Sequence, residues 1–481
     1  MEEADILYRA VLARDARFDG KFFVGVKTTG IYCRPICPAK PKRKNMEFFS
    51  SALLAEKAGY RPCLRCRPES APMSPAWIGK SAIVHRALRL IANDDLAHST
   101  EEIFASQLGV SARHLRRLFE EELGRTPKQI AGQNRLNFAR KLLLETTLPV
   151  TEIAFASGFS SLRRFNDAVQ KRFHRSPREL RKSNDEPSAT NGLQLSISYR
   201  PPFDWLSLIH FYKSHQIKGV ETINDLSYER IFKFEESLGY MRVQPNPEKP
   251  ELTLEVELEN PRLLHKVVRS VRHMFDLESD PILIAKAFSS SKLLKDLNKK
   301  YPGLRLPRGW DPFETAITAI LGQLVSTEQA SRLVEQLVTH YGELVKTSSG
   351  RTGFLFPSPK VLATKNLEKI RTTEGRRNAI RLFSRKVLSK EIHLDSAQDP
   401  KAFKDSLVQI KGIGHWTAEY VSLRSLGDTD AFPGTDLILR RVLTMHPKFP
   451  MDSIKPWRAY AAMALWKEYA EPLSKKRRKK P

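Results

Sequence analysis

Cysteine is scarce: the chain has four in 481 residues, all between Cys33 and Cys66. A disulfide framework would spread through the chain and suits an oxidising compartment, so that architecture is excluded. Long apolar runs are missing as well, and none reaches the ~18 residues a membrane span needs. The opening MEEADILYRA lacks the basic-then-apolar pattern of a signal peptide. These absences predict a cytosolic protein with no membrane partner. Acidic residues are outnumbered, 54 against 80 Lys+Arg, for a formal net charge of +26. A folded chain with that surplus favours a polyanion, and double-stranded DNA is the expected partner. A merely soluble basic protein is the bland alternative, which charge alone leaves open. Hydrophobic residues, at 41%, are enough to build packed cores and exclude wholesale disorder. The length corresponds to roughly three or four domains.

Composition marks the boundaries. Residues 1–76 are rich in Arg, Pro and Cys and end in a Pro/Ser stretch at 70–76. Residues 80–182 read as amphipathic helices almost throughout. The polar, turn-rich SNDEPSATNG at 183–192 is a linker. LQLSISYR (193–200) and TLEVEL (253–258) alternate like strands, which predicts a small α+β unit over 193–278. From there to 473 the pattern is helical, and 474–481 is a solvated basic tail. The expected fold is mainly α and multidomain, α+β overall. It comprises a small zinc-bound α/β domain, a double helix-turn-helix, a small mixed α/β domain and an all-α core.

The cysteines read C33-R-P-I-C37 and, 25 residues later, C63-L-R-C66. Two close pairs joined by a loop make a tetrahedral Zn²⁺ site natural, and a purely structural zinc knob is the plain reading. Arg34, Arg43 and Arg65 crowd the cluster and suit contact with DNA phosphates. VKTTGIYCRPICPAK followed by GYRPCLRCRPE resembles the zinc domain of the Ada methylation-response family. That resemblance makes Cys33 the acceptor of a methyl group from a methylphosphotriester, with Cys37, Cys63 and Cys66 completing the zinc ligands. It implies a stoichiometric reaction. Methylation would lower the site's net negative charge and raise its affinity for DNA.

Two segments, 101–124 and 150–177, share a design. Ile103, Leu108, Val110, Leu115, Leu118 and Phe119 in the first, and Ile153, Ala154, Phe159, Leu162 and Phe165 in the second, mark buried faces around Gly109 and Gly158. Arg116 and Arg117, then Arg163 and Arg164, follow on helices suited to major grooves. An ordinary basic helical bundle is the plainer reading of one such unit. Two units with the ending GFSSLRRFNDAVQKRFHRSPREL resemble the AraC-type DNA-binding domain over 80–182. The resemblance implies sequence-specific DNA binding and brings RNA polymerase in as a partner of a regulatory half.

In the C-terminal half, Gly412 and Gly414 in QIKGIGHWTAEY permit a tight hairpin whose N–H groups approach a phosphate. Pro433-Gly434 halts the chain before Asp436, which reads first as a helix N-cap. ILGQLVS interrupts an apolar helix at Gly322-Gln323-Leu324. In this order, with PGLRLP and KPWRAYAAMALW, the motifs resemble the helix–hairpin–helix glycosylases of the AlkA 3-methyladenine type. The resemblance runs from residue 199 to about 470 and assigns the catalytic carboxylate to Asp436. It places Trp416, Tyr420 and Trp466, with Gln323, around the base, and Leu324 as a wedge into the helix. Gly412 and Gly414 contact DNA. Trp416 stands where bifunctional relatives carry a lysine, so hydrolysis should leave an intact strand. No added cofactor is expected for that reaction, and the chain is expected to act as a monomer. Thr435 and Leu437 depart from the family pattern, and the Pro-Cys-His-Arg alkyltransferase motif of full-length Ada is missing. Two rivals follow: a methylation-responsive regulator with an inactive glycosylase half, and a glycosylase whose front half only targets DNA.

Overall fold

The computed structural model describes residues 3–39, 41–63, 65–66, 68, 71, 82–92, 100–181, 193–394 and 398–477. The linker at 183–192, most of the boundary at 70–76 and the end of the basic tail, 478–481, lie outside the described residues. The chain divides into two compact units. The first holds Met1–Pro201, Pro245–Arg272 and Leu277–Ser279; the second holds Pro202–Gln244, His273–Asp276 and Asp280–Pro481. The segment 193–278 is therefore distributed over both.

In the first unit, α1 (Glu3–Leu12) buries Ala10 and Val11 with Phe22, Val24 and Met46. A four-stranded sheet follows in the order β3-β1-β2-β4. β1 (Phe23–Val26) is antiparallel to β2 (Ile31–Cys33) and β3 (Met46–Phe49), and β4 (Arg61–Pro62) runs parallel to β2. All four β1 residues are buried, so FVGV shows no alternation. A Cβ on Gly25 would stand 2.7 Å from the Phe49 ring and 2.9 Å from Tyr60, so this close approach requires glycine. α2 (Ala52–Lys57) packs Ala55 against Phe23 and Tyr32.

Seven helices follow among the described residues: α3 (Ala82–Ala92), α4 (Glu101–Gln107), α5 (Ala112–Leu123), α6 (Pro127–Glu145), α7 (Val150–Ala156), α8 (Leu162–Phe173) and α9 (Pro177–Arg181). The α4–α5 and α7–α8 pairs turn at Gly109 (φ 74°) and Gly158 (φ 77°), left-handed positions that favour glycine. Each second helix starts on a serine N-cap: Ser111 accepts from the His114 N–H, and Ser161 from the Arg164 N–H. The expected helix-turn-helix pairs are thus formed, with one change in their core. Ile103 is 53% exposed and Phe104 is buried in its stead. β5 (Leu193–Ser198) pairs antiparallel with β9 (Glu251–Leu258) from Leu193↔Val256 to Ser198↔Glu251. α6 serves the β5 backbone: the Ser196 N–H donates to Glu145 at 3.0 Å, and Lys141 donates to the Ser196 carbonyl. α11 (Leu264–Met274) begins in this unit.

The second unit opens with α10 (Trp205–Ser214) and an antiparallel meander of β6 (Glu221–Ile223), β7 (Tyr228–Phe234) and β8 (Ser237–Pro245). Helices then dominate: α12 (Pro281–Phe288), α13 (Lys292–Lys300), α14 (Pro312–Leu321), α15 (Thr327–Tyr341), α16 (Pro359–Thr364), α17 (Glu374–Leu388), α18 (Pro400–Val408), α19 (His415–Val421), α20 (Leu437–Met445) and α21 (Arg458–Arg477). α14 is apolar on nearly every side, so it runs through the core with Leu337, Phe383 and Leu407 around it. Among the described residues, the run expected to be all helix is broken once by strands, in a hairpin of β10 (Glu343–Lys346) and β11 (Thr352–Leu355). Its backbone is anchored where the Phe354 N–H donates to the Gly219 carbonyl at 2.8 Å. No helix among the described residues is long and apolar enough to cross a membrane.

Candidate metal centre and candidate active site

Parallel pairing of β4 with β2 builds the cysteine cluster. Cys33 ends β2, and the Cys63 N–H donates to the Tyr32 carbonyl at 2.9 Å. A turn closed by the Cys37 N–H on the Arg34 carbonyl (3.1 Å) brings Cys37 back. All four cysteines are buried, and their sulfurs lie within 4.8 Å of one another. A tetrahedral zinc site with Zn–S of about 2.3 Å has S···S edges of about 3.8 Å, so the four residues fit that ion. Hydrogen bonds from the other three cysteines hold the Cys63 thiol low, whereas burial pushes Cys66 up. The Arg34 N–H also donates to the Cys66 sulfur at 3.3 Å.

The arginines expected at the DNA face divide. Arg34 is a correction. It is 4% exposed, its Nε donates to Asp19 at 2.8 Å and its Nη1 to the Cys66 carbonyl at 3.2 Å. It braces the cluster from within and offers nothing to a phosphate. Arg65 is exposed. Arg43 is half exposed, paired with Asp5 and set over the Tyr8 ring. Arg116 is held by Glu101 through two 2.8 Å bonds, and Arg117 lies 3.7 Å from Glu121. Arg164 reaches only Ser160, at 3.5 Å, and Arg163 is exposed.

In the second unit, Pro433-Gly434 delivers Asp436 to the N-cap of α20. Its Oδ1 accepts from the N–H groups of Ile438 (2.9 Å) and Leu439 (3.2 Å) and from Trp466 Nε1 (3.0 Å). Oδ2 accepts from Trp416 Nε1 at 3.2 Å. Among the described residues, four N–H donors and no cation hold the carboxylate, with three of the four on one oxygen. Trp416 and Tyr420, one helical turn apart on α19, stack at 5.1 Å and 10°, and Trp466 meets Tyr420 edge-on at 6.3 Å. These four residues line a cavity of about 630 Å³. An aromatic wall beside an oriented carboxylate can hold a planar base and stabilise positive charge on an attached sugar.

Gln323 does not line that cavity, another correction. Its Nε2 donates to the Gly412 carbonyl (2.9 Å) and to the Thr417 hydroxyl (2.8 Å), so it ties the hairpin down. Leu324 is fully exposed and left-handed at φ 55°, strained for a leucine. Gly412 needs its glycine: φ is 99°, and a Cβ would stand 3.1 Å from the Ala379 Cβ. Gly414 sits at an ordinary φ of −93° as the N-cap of α19, with open space around it.

Sequence reasoning missed Arg424 and His215. Arg424 is buried in the cavity wall, with Nε on the Pro307 carbonyl (2.8 Å) and Nη1 on the Tyr420 hydroxyl (3.1 Å). Its spacing, i+4 from Tyr420 as Tyr420 is from Trp416, was the available signal. His215 stacks on Phe211 at 4.1 Å, and burial, with Arg424 nearby, lowers it to about 4, so the ring is neutral. Its spacing, i+4 from Phe211, is the same kind of signal.

Three stretches of the chain are similar to known families. Residues 6–69 match the metal binding domain of Ada, 104–183 a helix-turn-helix domain and 194–311 the AlkA N-terminal domain. Among relatives, a probable bifunctional transcriptional activator/DNA repair enzyme AlkA of Mycobacterium tuberculosis is 34% identical over 485 residues, covering 97% of each chain. DNA-3-methyladenine glycosylase 2 of Escherichia coli is 28% identical over 56% of this chain and 96% of its own. The bifunctional transcriptional activator/DNA repair enzyme Ada of the same organism is 43% identical over 26% of this chain and 34% of its own.

Proposed function

The chain belongs to the family of bifunctional transcriptional activator/DNA repair enzymes of the AlkA kind, and on that premise we propose that it excises alkylated bases from duplex DNA. The observation that carries the proposal is Asp436, whose carboxylate is fixed by two backbone N–H groups and two indoles at the wall of an aromatic cavity. A damaged nucleotide leaves the stack, with Leu324 filling the gap, and its base enters the cavity. Alkylated purines are cationic or electron-poor, and the Trp416 and Tyr420 faces attract them. As the bond from C1′ to the base nitrogen breaks, its electron pair leaves with the base and positive charge develops on the sugar. The anion on Asp436 stabilises that charge and orients a water whose oxygen bonds to C1′ while one of its protons passes to the carboxylate and on to solvent. Trp416 provides no amine, so no Schiff base forms and the strand stays whole. The reaction needs no cofactor. Base release from methylated duplex DNA by wild type and by Asp436→Asn tests the reading, with 3-methyladenine as the product to follow. An active Asp436→Asn enzyme would remove Asp436 from the mechanism.

The first unit adds a sensor. Cys33, Cys37, Cys63 and Cys66 would hold one zinc ion, which keeps their sulfurs as thiolates at neutral pH. The Cys33 sulfur attacks the methyl carbon of a methylphosphotriester. A sulfur–carbon bond forms, the carbon–oxygen bond breaks and the phosphodiester leaves as an anion, so no proton is needed. The two helix-turn-helix units bind duplex DNA, and in the regulatory role RNA polymerase is the partner. Isotopic label from methylphosphotriester DNA should appear on Cys33, one per chain. Label on another residue, or none, would defeat the sensor reading and leave the glycosylase untouched.

A further inference from the structure

Glu56 of α2 is a buried carboxylate, 7% exposed, that serves three elements at once. The Tyr32 hydroxyl donates to Oε1 at 2.6 Å. Gln133 of α6 donates to both oxygens at 3.1 Å. Arg172, in the last turn of α8, grips the same carboxylate with both terminal nitrogens, Nη1 at 2.6 Å from Oε2, and Arg125 approaches to 3.7 Å. Tyr32 precedes Cys33 in β2 and is 1% exposed. A second tie runs parallel: Arg140 of α6 donates to the Cys63 carbonyl at 2.8 Å. Arg140 and Arg172 both lie over the Phe173 ring, at 5.3 and 5.6 Å.

We propose that Glu56 is a positioning residue that locks the cysteine-bearing strand to α8, so that a change of state at Cys33 is felt as a change in DNA affinity of the whole helix-turn-helix domain. The inference rests on the reading of Cys33 as methyl acceptor. Two DNA-contacting bodies held in fixed geometry make the second contact intramolecular, and affinity gained at one is added in full to the other. Bodies joined only by a flexible segment lose most of that gain. A buried, forked arginine–carboxylate pair suits this role, because a planar bidentate contact fixes orientation as well as distance. Neither Glu56 nor Arg172 reaches the DNA-facing surface: their side chains are 7% and 13% exposed.

The test uses the full-length, zinc-loaded chain and compares wild type, Glu56→Gln, Arg172→Met and the double variant. Zinc content, label on Cys33 and affinity for a random-sequence duplex are measured before and after methylation at one salt concentration. Wild type should gain on the order of ten-fold in affinity, the effect of removing one negative charge beside a phosphate. Both single variants should still bind zinc and accept one methyl group, but gain two-fold or less. The double variant should lose no more than either single, the mark of one shared interaction. Variants that accept methyl and keep the full gain, or losses that add, overturn the proposal while the acceptor reading stands. A zinc-loaded wild type that accepts no methyl overturns both. If Glu56→Gln fails to hold zinc, Arg172→Met, altered in the other fold, decides by the same criterion.

Discussion

Asp436 makes two kinds of contact that pull apart in a single substitution. Asp436→Asn keeps an oxygen to cap α20 but removes the anion, so folding and DNA binding should survive. Single-turnover base release should fall on the order of 10² or more, and alkali after the wild-type reaction should cut a strand that was intact before. Leu324 makes a complementary case. Its exposed, left-handed side chain contributes nothing to the packed core, so Leu324→Ala should leave melting unchanged and weaken the complex with damaged duplex, read as a raised half-saturation concentration. Both positions were legible as helix interruptions, at a Pro-Gly stop and a Gly-Gln-Leu break, and it was the resemblance to the AlkA-type glycosylases that gave them roles. Arg34 and Gln323 were not. The first is decided by Asp19, fifteen residues away, and the second by carbonyl and hydroxyl groups on the α18–α19 hairpin. Polar side chains announce their type in a sequence but not the partner that consumes them.

That hairpin shows how an element is held by things outside it. Gly412 at φ 99° makes the turn, and Gln323 clamps it from the end of α14. Gly412→Ala adds strain and a tight contact with Ala379, so it should destabilise the second unit by about 1 kcal/mol or more and lower DNA affinity. Gly414→Ala, with an ordinary φ and open space, should cost far less in melting temperature. Comparing the two by calorimetry checks the assignment. The helices themselves were readable, since caps, glycines and apolar spacing agree at Ser111, Ser161 and Asp436. The β10–β11 hairpin escaped the reading. Its strands span four residues each, and Leu344 is 68% exposed, so they carry little of the alternation that marks a half-buried strand. Contacts across the fold hold them, including the Gly219 carbonyl.

Among the described residues, each of the two units contains a histidine that burial keeps neutral. His215 in the second and His265 in the first, edge-on to Phe138, are both lowered to about 4. A histidine depressed in the folded state binds fewer protons than its unfolded counterpart. Its stabilisation is therefore complete above about pH 6.5 and is lost as pH falls from there towards 4. Both residues are intermediate in exposure, so about 3 kcal/mol apiece is an upper bound. His215→Phe should flatten the acid side of the melting profile of the second unit only, and His265→Phe that of the first. Chelating zinc should likewise unfold the cysteine-bearing fold while base release continues. Separate responses do not make separable parts, however. The chain leaves the first unit after Pro201, returns at Pro245, leaves after Arg272 and returns once more for Leu277–Ser279. A stop codon in the linker would separate β5 from the Glu145 and Lys141 side chains that bond its Ser196 backbone. A hybrid gene joined at that point would have to supply the β5 backbone with a new neighbour in place of α6.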